Sequence, residues 1–222
     1  MDAIKENTVS AKGQMVNSSE LSFLGNTDAK IKVMVLGNSI LRHGPRKEIG
    51  WDRDWGMAAS APEKDFVHQL FSMIIGGGKD VYMRVRQASD WEVSCDRSEY
   101  PDFEEDKDFD ADLIVFKLGE NVTERVVNEF REGVKRFVYF LKKDNTKFVF
   151  ATCFWKNPIV DEGIREIAKE LGAPLIELGD LGDDKEMKAT GQFEHTGVCA
   201  HPNDKGMLEI AKRIYSKVVE VL

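Results

Sequence analysis

The amino-acid sequence predicts an α/β domain in which helices cover both faces of a mostly parallel sheet of five strands. Short apolar runs alternate with amphipathic stretches from Ile31 onward, which is the pattern of strand–helix repeats. The run Leu113–Phe116 is apolar at every position, as in a parallel strand that is buried on both faces. A chain of 222 residues without repeats or an internal linker fits one such domain.

The predicted strands are short, and glycines such as Gly37 and Gly119 close two of them. The five strands are predicted over Ile31–Leu36, Val81–Val85, Leu113–Phe116, Lys147–Thr152 and Pro174–Leu178. The segments between them carry apolar residues at helical spacing. Helices are predicted from Pro62 to the glycines at 76–78, over Thr123–Lys143 and Ile159–Leu171, and from Asp204 onward.

Residues 1–28 are predicted to form a loose N-terminal arm, because polar residues are scattered through them. A short strand is expected near Leu21–Leu24, and the domain proper spans residues 29–222. The first residues lack the basic and apolar segments of a signal peptide. A chain that begins after a removed signal has the same pattern, so the sequence leaves the compartment open.

The composition disfavours several classes of protein. Thirty-one Lys and Arg against 39 Asp and Glu give a formal net charge of −8 without a basic stripe, so no nucleic-acid partner is expected. No apolar run approaches the roughly 20 residues that cross a bilayer, so no membrane association is expected. Cys95, Cys153 and Cys199 are odd in number and widely spaced, which fits neither a disulfide framework nor a zinc site.

Three polar groups follow predicted strands or precede the last helix, where ligands of parallel sheets bind. Ser39, after the first of the five strands, lies at a turn where helix amides can receive an oxyanion, although a serine there is also a common N-cap. Asn121 can donate a hydrogen bond to an oxyanion, or simply serve as a turn residue. His201 is a candidate base for Ser39, and a solvated loop histidine is the alternative.

Together, the segments Gly37–Ser39, Gly119–Asn121 and His201–Pro202 resemble, in order and spacing, the SGNH or GDSL-like hydrolase superfamily. The resemblance covers roughly residues 31–222, and the stretch Gly37–Gly56 is similar to a branch common among bacterial carbohydrate-active esterases. It implies a flavodoxin-like, doubly wound three-layer α/β/α fold and a serine esterase mechanism.

The resemblance also implies roles for individual residues. Ser39 corresponds to the nucleophile and His201 to the general base, while the oxyanion is expected to bind the Ser39 amide, an amide near Ser89 and the Asn121 side chain. Separately from the resemblance, the expected substrate-binding residues are Glu120 and two tryptophans near strand ends, Trp51 and Trp155; core packing is the alternative for the tryptophans.

Two positions depart from the superfamily's pattern. Val198 stands where an aspartate often precedes the catalytic histidine by three residues, and Gln87–Asp90 lacks the usual oxyanion glycine. The missing acid is the greater departure, because it orients the imidazole. Glu194 or Glu92 can supply the carboxylate, a backbone carbonyl can hold the ring, or a Ser–His dyad can suffice.

The remaining histidines suggest no cofactor. His43 is expected at the surface, and His195, six residues before His201, has no carboxylate partner at ligand spacing. Neither a metal nor an organic cofactor is therefore predicted.

The sequence thus predicts a serine-dependent hydrolase of an O-acylated carbohydrate or small ester, acting through an acyl-enzyme on Ser39. Because of Val198, a non-catalytic carbohydrate-binding protein on the same fold is the main alternative. An FMN or nucleotide binder is a third interpretation, but Gly37–Ser39 has only one glycine where a phosphate loop has several. The sequence does not indicate the oligomeric state.

Overall fold

A six-stranded sheet lies at the centre of the structure, a computed structural model that describes residues 21–222. Its strands are β1 Leu21–Gly25, β2 Ile31–Gly37, β3 Val81–Gln87, β4 Leu113–Phe116, β5 Lys147–Ala151 and β6 Leu175–Ile176. Their order across the sheet is β1-β3-β2-β4-β5-β6. Only β1 runs antiparallel to its neighbour, and the other pairs are parallel.

The predicted fold class is confirmed: this is an α/β fold with a mostly parallel sheet. The five predicted strands correspond to β2–β6, although β6 is shorter than expected. The sixth strand, β1, is the short strand expected near Leu21–Leu24; it pairs with β3 from Leu21 opposite Arg86 to Gly25 opposite Tyr82. The rest of the predicted arm, residues 1–20, lies outside the described residues.

Eight α-helices occur within residues 21–222. They are α1 Phe66–Gly76, α2 Ser89–Glu92, α3 Glu104–Asp108, α4 Phe130–Leu141, α5 Pro158–Glu170, α6 Gly179–Asp183, α7 Thr196–Cys199 and α8 Asp204–Val221. The helix predicted from Thr123 begins only at Phe130, after a 3-10 turn over Val127–Glu129. Pro62 likewise begins a 3-10 turn, and Asp65 caps the helix that follows.

The helices pack on both faces of the sheet because the buried residues of β2 and β4 are apolar on both sides. Val33 and Val35 of β2 face α1 and α8, whereas Met34 and Leu36 face α4 and α5. The resulting two cores form the three layers and fix the carboxyl ends of β2, β3 and β4 at one edge. None of the helices in residues 21–222 is long and apolar enough to cross a bilayer.

Candidate active site

Ser39 and His201 meet at the carboxyl edge of the sheet. Ser39 Oγ lies 2.7 Å from His201 Nε2, although 162 positions separate the two residues in the chain. Ser39 stands in a tight turn directly after β2. That turn needs glycine at position 37, because a Cβ there would approach Leu41 Cβ to 2.6 Å. His201 lies in the short loop between α7 and α8.

The second ring nitrogen of His201 is held by a backbone carbonyl. His201 Nδ1 lies 2.7 Å from the carbonyl oxygen of Gly197, in α7. Because a carbonyl oxygen only accepts hydrogen bonds, Nδ1 carries the proton and Nε2 is left to accept from the Ser39 hydroxyl. Burial lowers the pKa of His201 to about 4, so the imidazole is neutral at pH 7.

None of the carboxylates expected beside His201 lies on its Nδ1. Val198 is fully buried, and its cluster includes Trp51 and Met57, so the position offers no polar group to the ring. Glu194 is exposed, and Glu92 bonds to groups on the other loops rather than to His201. Of the expected alternatives, the structure shows the backbone carbonyl.

Glu92, at the end of α2, lies at the centre of a buried hydrogen-bond network. Its carboxylate accepts from Asn121 Nδ2 at 2.6 Å, from Asn38 Nδ2 at 3.0 Å and from the N–H of Gly119. Burial, followed by the nearby charge of Glu120, raises the pKa of Glu92 to about 7. The network therefore joins the chain segments that follow β2, β3 and β4.

Glu120 forms a second buried centre beside Glu92. Its side chain is inaccessible to solvent, and it accepts from Lys117 Nζ, from Asn38 Nδ2 at 2.6 Å and from the N–H of Phe154 at 2.9 Å. Burial alone would raise the pKa of Glu120, but Lys117 and the other donors lower it below its usual range. The expectation that Glu120 binds substrate is not supported, because no part of its side chain reaches the surface.

The two predicted oxyanion donors beyond Ser39 differ in their availability. The Ser89 N–H already donates to Gln87 Oε1 at 3.1 Å, and Ser89 is buried. Asn121 is half-buried, and its Nδ2 carries two N–H groups, of which Glu92 accepts one. Asn121 is therefore the donor that remains able to reach a ligand.

The predicted tryptophans occupy different environments. Trp51 is fully buried, where its indole N–H donates to the His43 carbonyl at 2.8 Å, so it cannot line a binding surface. Trp155 is partly exposed and packs edge-on against His201, with ring centres 4.9 Å apart. His43 is buried rather than on the surface, and burial lowers its pKa.

A cavity of about 540 Å³ lies along α7, beside the segment that holds His201. Aromatic, hydroxyl and charged side chains line it; the lining residues are Lys188, Thr190, Gly191, Phe193, Glu194, Thr196, Cys199 and Ala200. Ser39 and His201 are not among them, although Ala200 precedes His201 in the chain. Within residues 21–222, no group of three or more His, Cys, Asp or Glu side chains is arranged to bind a metal ion.

Several residues that shape the site were not identified from the sequence. Nothing in the sequence singles out the Gly197 carbonyl, since every residue has a carbonyl. Asn38 and Lys117 could have been noticed, because both are polar residues next to buried strands at the edge where ligands bind.

Comparison with known proteins finds similarity in three dimensions only. No protein-family profile and no curated protein sequence matches the chain. The psychrotrophic esterase EstA from Pseudoalteromonas sp., solved in a form inhibited by monoethylphosphonate, matches with a TM-score of 0.58 and 14% identity over 85% of this chain and 97% of the esterase. TesA matches with a TM-score of 0.57 and 14% identity over 86% of this chain and 99% of TesA.

A two-domain esterase active on acetylated mannans matches with a TM-score of 0.53 and 13% identity, over 86% of this chain and 49% of that protein. Identities this low establish the fold alone. The chain has the fold of the SGNH/GDSL esterases, as the sequence resemblance implied.

Proposed function

We propose that this chain is a serine-dependent carboxylic ester hydrolase of the SGNH/GDSL type. The observation that carries the proposal is the hydrogen bond of 2.7 Å between Ser39 Oγ and His201 Nε2, on an imidazole whose other nitrogen is fixed by Gly197. A hydroxyl paired with a neutral, oriented base is the arrangement that activates a serine nucleophile.

The reaction proceeds through an acyl-enzyme on Ser39. Ser39 Oγ attacks the acyl carbonyl carbon while His201 Nε2 takes the hydroxyl proton, and the oxyanion accepts from Asn121 Nδ2 and the Ser39 N–H. The imidazolium returns the proton to the leaving alkoxide, which departs as the alcohol. Water then attacks the carbonyl carbon of the ester on Ser39 while His201 Nε2 takes one of its protons. The imidazolium returns that proton to Ser39 Oγ as the carboxylic acid leaves, which restores the free serine and the neutral imidazole.

The Gly197 carbonyl does part of what a triad carboxylate does. It fixes the tautomer and the plane of the ring, but it has no net charge with which to stabilise the imidazolium. The low pKa of His201 agrees with this, because no carboxylate accepts from its Nδ1. We therefore expect a slower acylation step than a full triad gives.

An O-acylated carbohydrate or another small ester is the proposed substrate. Trp155 presents a partly exposed aromatic ring next to His201, which suits stacking on a sugar. The cavity along α7 offers Phe193 together with the hydroxyls of Thr190 and Thr196. Activity on acetylated mannans, recorded for one protein of similar fold, is consistent with this class.

Hydrolysis of p-nitrophenyl acetate and of a per-O-acetylated sugar by the purified chain tests the proposal. Ser39→Ala and His201→Ala are each expected to lower kcat by about 10³-fold or more while the protein stays folded. A wild-type chain without hydrolysis, or a Ser39→Ala variant with an unchanged rate, would contradict it.

A non-catalytic carbohydrate-binding role is the second candidate, favoured by the buried Val198 in place of an acid. Calorimetric binding of an acetylated oligosaccharide, without any hydrolysis of it, would support this role instead.

A further inference from the structure

Three N–H donors from two loops converge on Glu92. Two are the side-chain amides of Asn38, the neighbour of Ser39, and of Asn121, and the third is the backbone N–H of Gly119. Gly119 has a φ of +145°, and a Cβ there would approach Cys153 Sγ to 2.7 Å. Position 119 therefore requires glycine. Glu92 thus joins the turn of the candidate nucleophile to the loop of the candidate oxyanion donor.

A carboxylate at this position is costly. Glu92 is fully buried, and the carboxylate of Glu120 lies close enough to raise its pKa further. Its three hydrogen bonds offset only part of that cost, because they lower the pKa of Glu92 and it still stays raised to about 7. The chemistry of the partners suggests what the carboxylate is for: all three are donors, and an ionised carboxylate is an acceptor only.

We propose that Glu92 is a positioning residue, which orients Asn121 as an oxyanion donor and fixes the turn of Ser39 through Asn38. This inference rests on the proposed esterase function.

The negative charge of the Glu92 carboxylate decides which way the Asn121 amide faces. If the Asn121 amide flipped, its oxygen would face a carboxylate oxygen, so Glu92 selects the orientation in which Nδ2 points inward. Asn121 Nδ2 then lies 2.6 Å from Glu92 Oε2 and donates one of its N–H groups to it. Because the amide is planar, this bond also sets the direction of the second N–H. An oxyanion donor held in place before the reaction stabilises the transition state more than one that must rotate into position.

A double-mutant cycle on kcat for p-nitrophenyl acetate tests the proposal. Glu92→Gln keeps the shape of the side chain but turns an NH₂ group toward the donors. It is expected to lower kcat by about 10- to 100-fold, a loss no greater than that from removing the oxyanion donor itself. KM is expected to change by less than about 3-fold. In an Asn121→Ala background, Glu92→Gln is expected to lower kcat by less than about 3-fold, because the group it positions is gone.

Asp106→Asn is the matched control for the loss of a buried carboxylate. Asp106 is buried and accepts from Arg84 and Arg86 on β3, so this change is expected to lower stability without lowering the kcat of the folded protein. An unchanged kcat in Glu92→Gln, or an equal loss with and without Asn121, overturns the proposal. A wild-type chain without esterase activity overturns the proposed function as well.

Should Glu92→Gln fail to fold, the wild-type protein provides the test. Ionisation of Glu92 near pH 7 is expected to raise kcat from one plateau to a higher one, and Asn121→Ala is expected to abolish that step. The titratable groups around Glu92 are Glu120 and Lys117 after β4 and the Cys153 thiol after β5. A wild-type profile without the step, or a step that persists in Asn121→Ala, overturns the proposal.

Discussion

Ser39 Oγ lies 2.7 Å from His201 Nε2, and the base in this pair is oriented by a peptide carbonyl instead of a carboxylate. The carbonyl of Gly197 belongs to α7, so one turn of helix sets both the tautomer and the direction of the imidazole. The pair is consequently neutral. His201 is buried and Ser39 is half-buried, and burial lowers the pKa of His201 more than any charge next to it does.

We expect esterase activity to persist at acidic pH. Burial lowers the pKa of His201 to about 4, so the neutral imidazole that accepts the serine proton is still the main form at pH 5. Apart from the partial step near pH 7 assigned to Glu92, kcat/KM is expected to fall about tenfold per pH unit only below about pH 4. Initial rates measured from pH 3.5 to 8, with circular dichroism at each pH, check this. A complete loss with a midpoint near 6.5 would indicate a solvated histidine.

The two tryptophans are predicted to differ in their effects. Trp155→Ala exposes His201, so the acid limit of kcat/KM should move up toward pH 6.5, the ordinary pKa of histidine.

Trp51→Ala leaves a cavity among Trp55 and Phe193 and should lower the free energy of unfolding by about 3–5 kcal/mol, with KM unchanged in the folded protein. Rate profiles and urea denaturation of both variants separate the roles; a large KM change in Trp51→Ala would show that it binds substrate.

Restoring the acid that the superfamily often has at position 198 is not expected to restore a triad. Val198 is fully buried in an apolar cluster, so Val198→Asp should lower the free energy of unfolding by about 3 kcal/mol or more. The hydroxyl of the matched variant Val198→Thr should cost less, about 1–3 kcal/mol. Urea denaturation and ester hydrolysis measure both. A stable Val198→Asp with a higher kcat would mean that the loop readily rearranges to place the acid on Nδ1.

Glu92 is expected to make the stability of the protein depend on pH. Because burial and Glu120 raise its pKa to about 7, the folded state favours the protonated form. Its contribution is fully present below pH 4.5, the ordinary pKa of the group, and is lost as the pH rises through about 7. Between pH 5 and 8 the free energy of unfolding should therefore fall more steeply in wild type than in Glu92→Gln. Urea denaturation of both proteins at pH 5 and pH 8 measures this fall. The same fall in wild type and in Glu92→Gln would refute the prediction.

The sheet could be predicted because β2 and β4 are buried on both faces, which leaves continuous apolar runs in the sequence. The pairing of β1 could not, since it depends on contacts with residues far along the chain, such as the stacking of Phe23 on Tyr82 at 5.1 Å. In the site, the order and spacing of the motifs were enough to predict that Ser39 and His201 lie together. Which carbonyl would face His201 could not be read, because that depends on the path of α7.

Trp51 and Glu120 show a second limit of the sequence. A tryptophan or a carboxylate near a strand end has the right chemistry for binding substrate, but the same residue types also fill cores and pair with buried lysines. Trp51 is covered by Trp55 and Phe193, and Glu120 is neutralised by Lys117. Burial of this kind arises from several loops packing together, which no single segment reveals.

Covalent capture of the nucleophile tests the central claim most directly. The purified chain would be treated with a fluorophosphonate, and the adduct would be located by intact-mass and peptide mass spectrometry. We predict one adduct per chain, on Ser39, which is absent from Ser39→Ala and strongly slowed in His201→Ala. No adduct on the folded wild-type protein, or an adduct on a residue other than Ser39, would contradict the account.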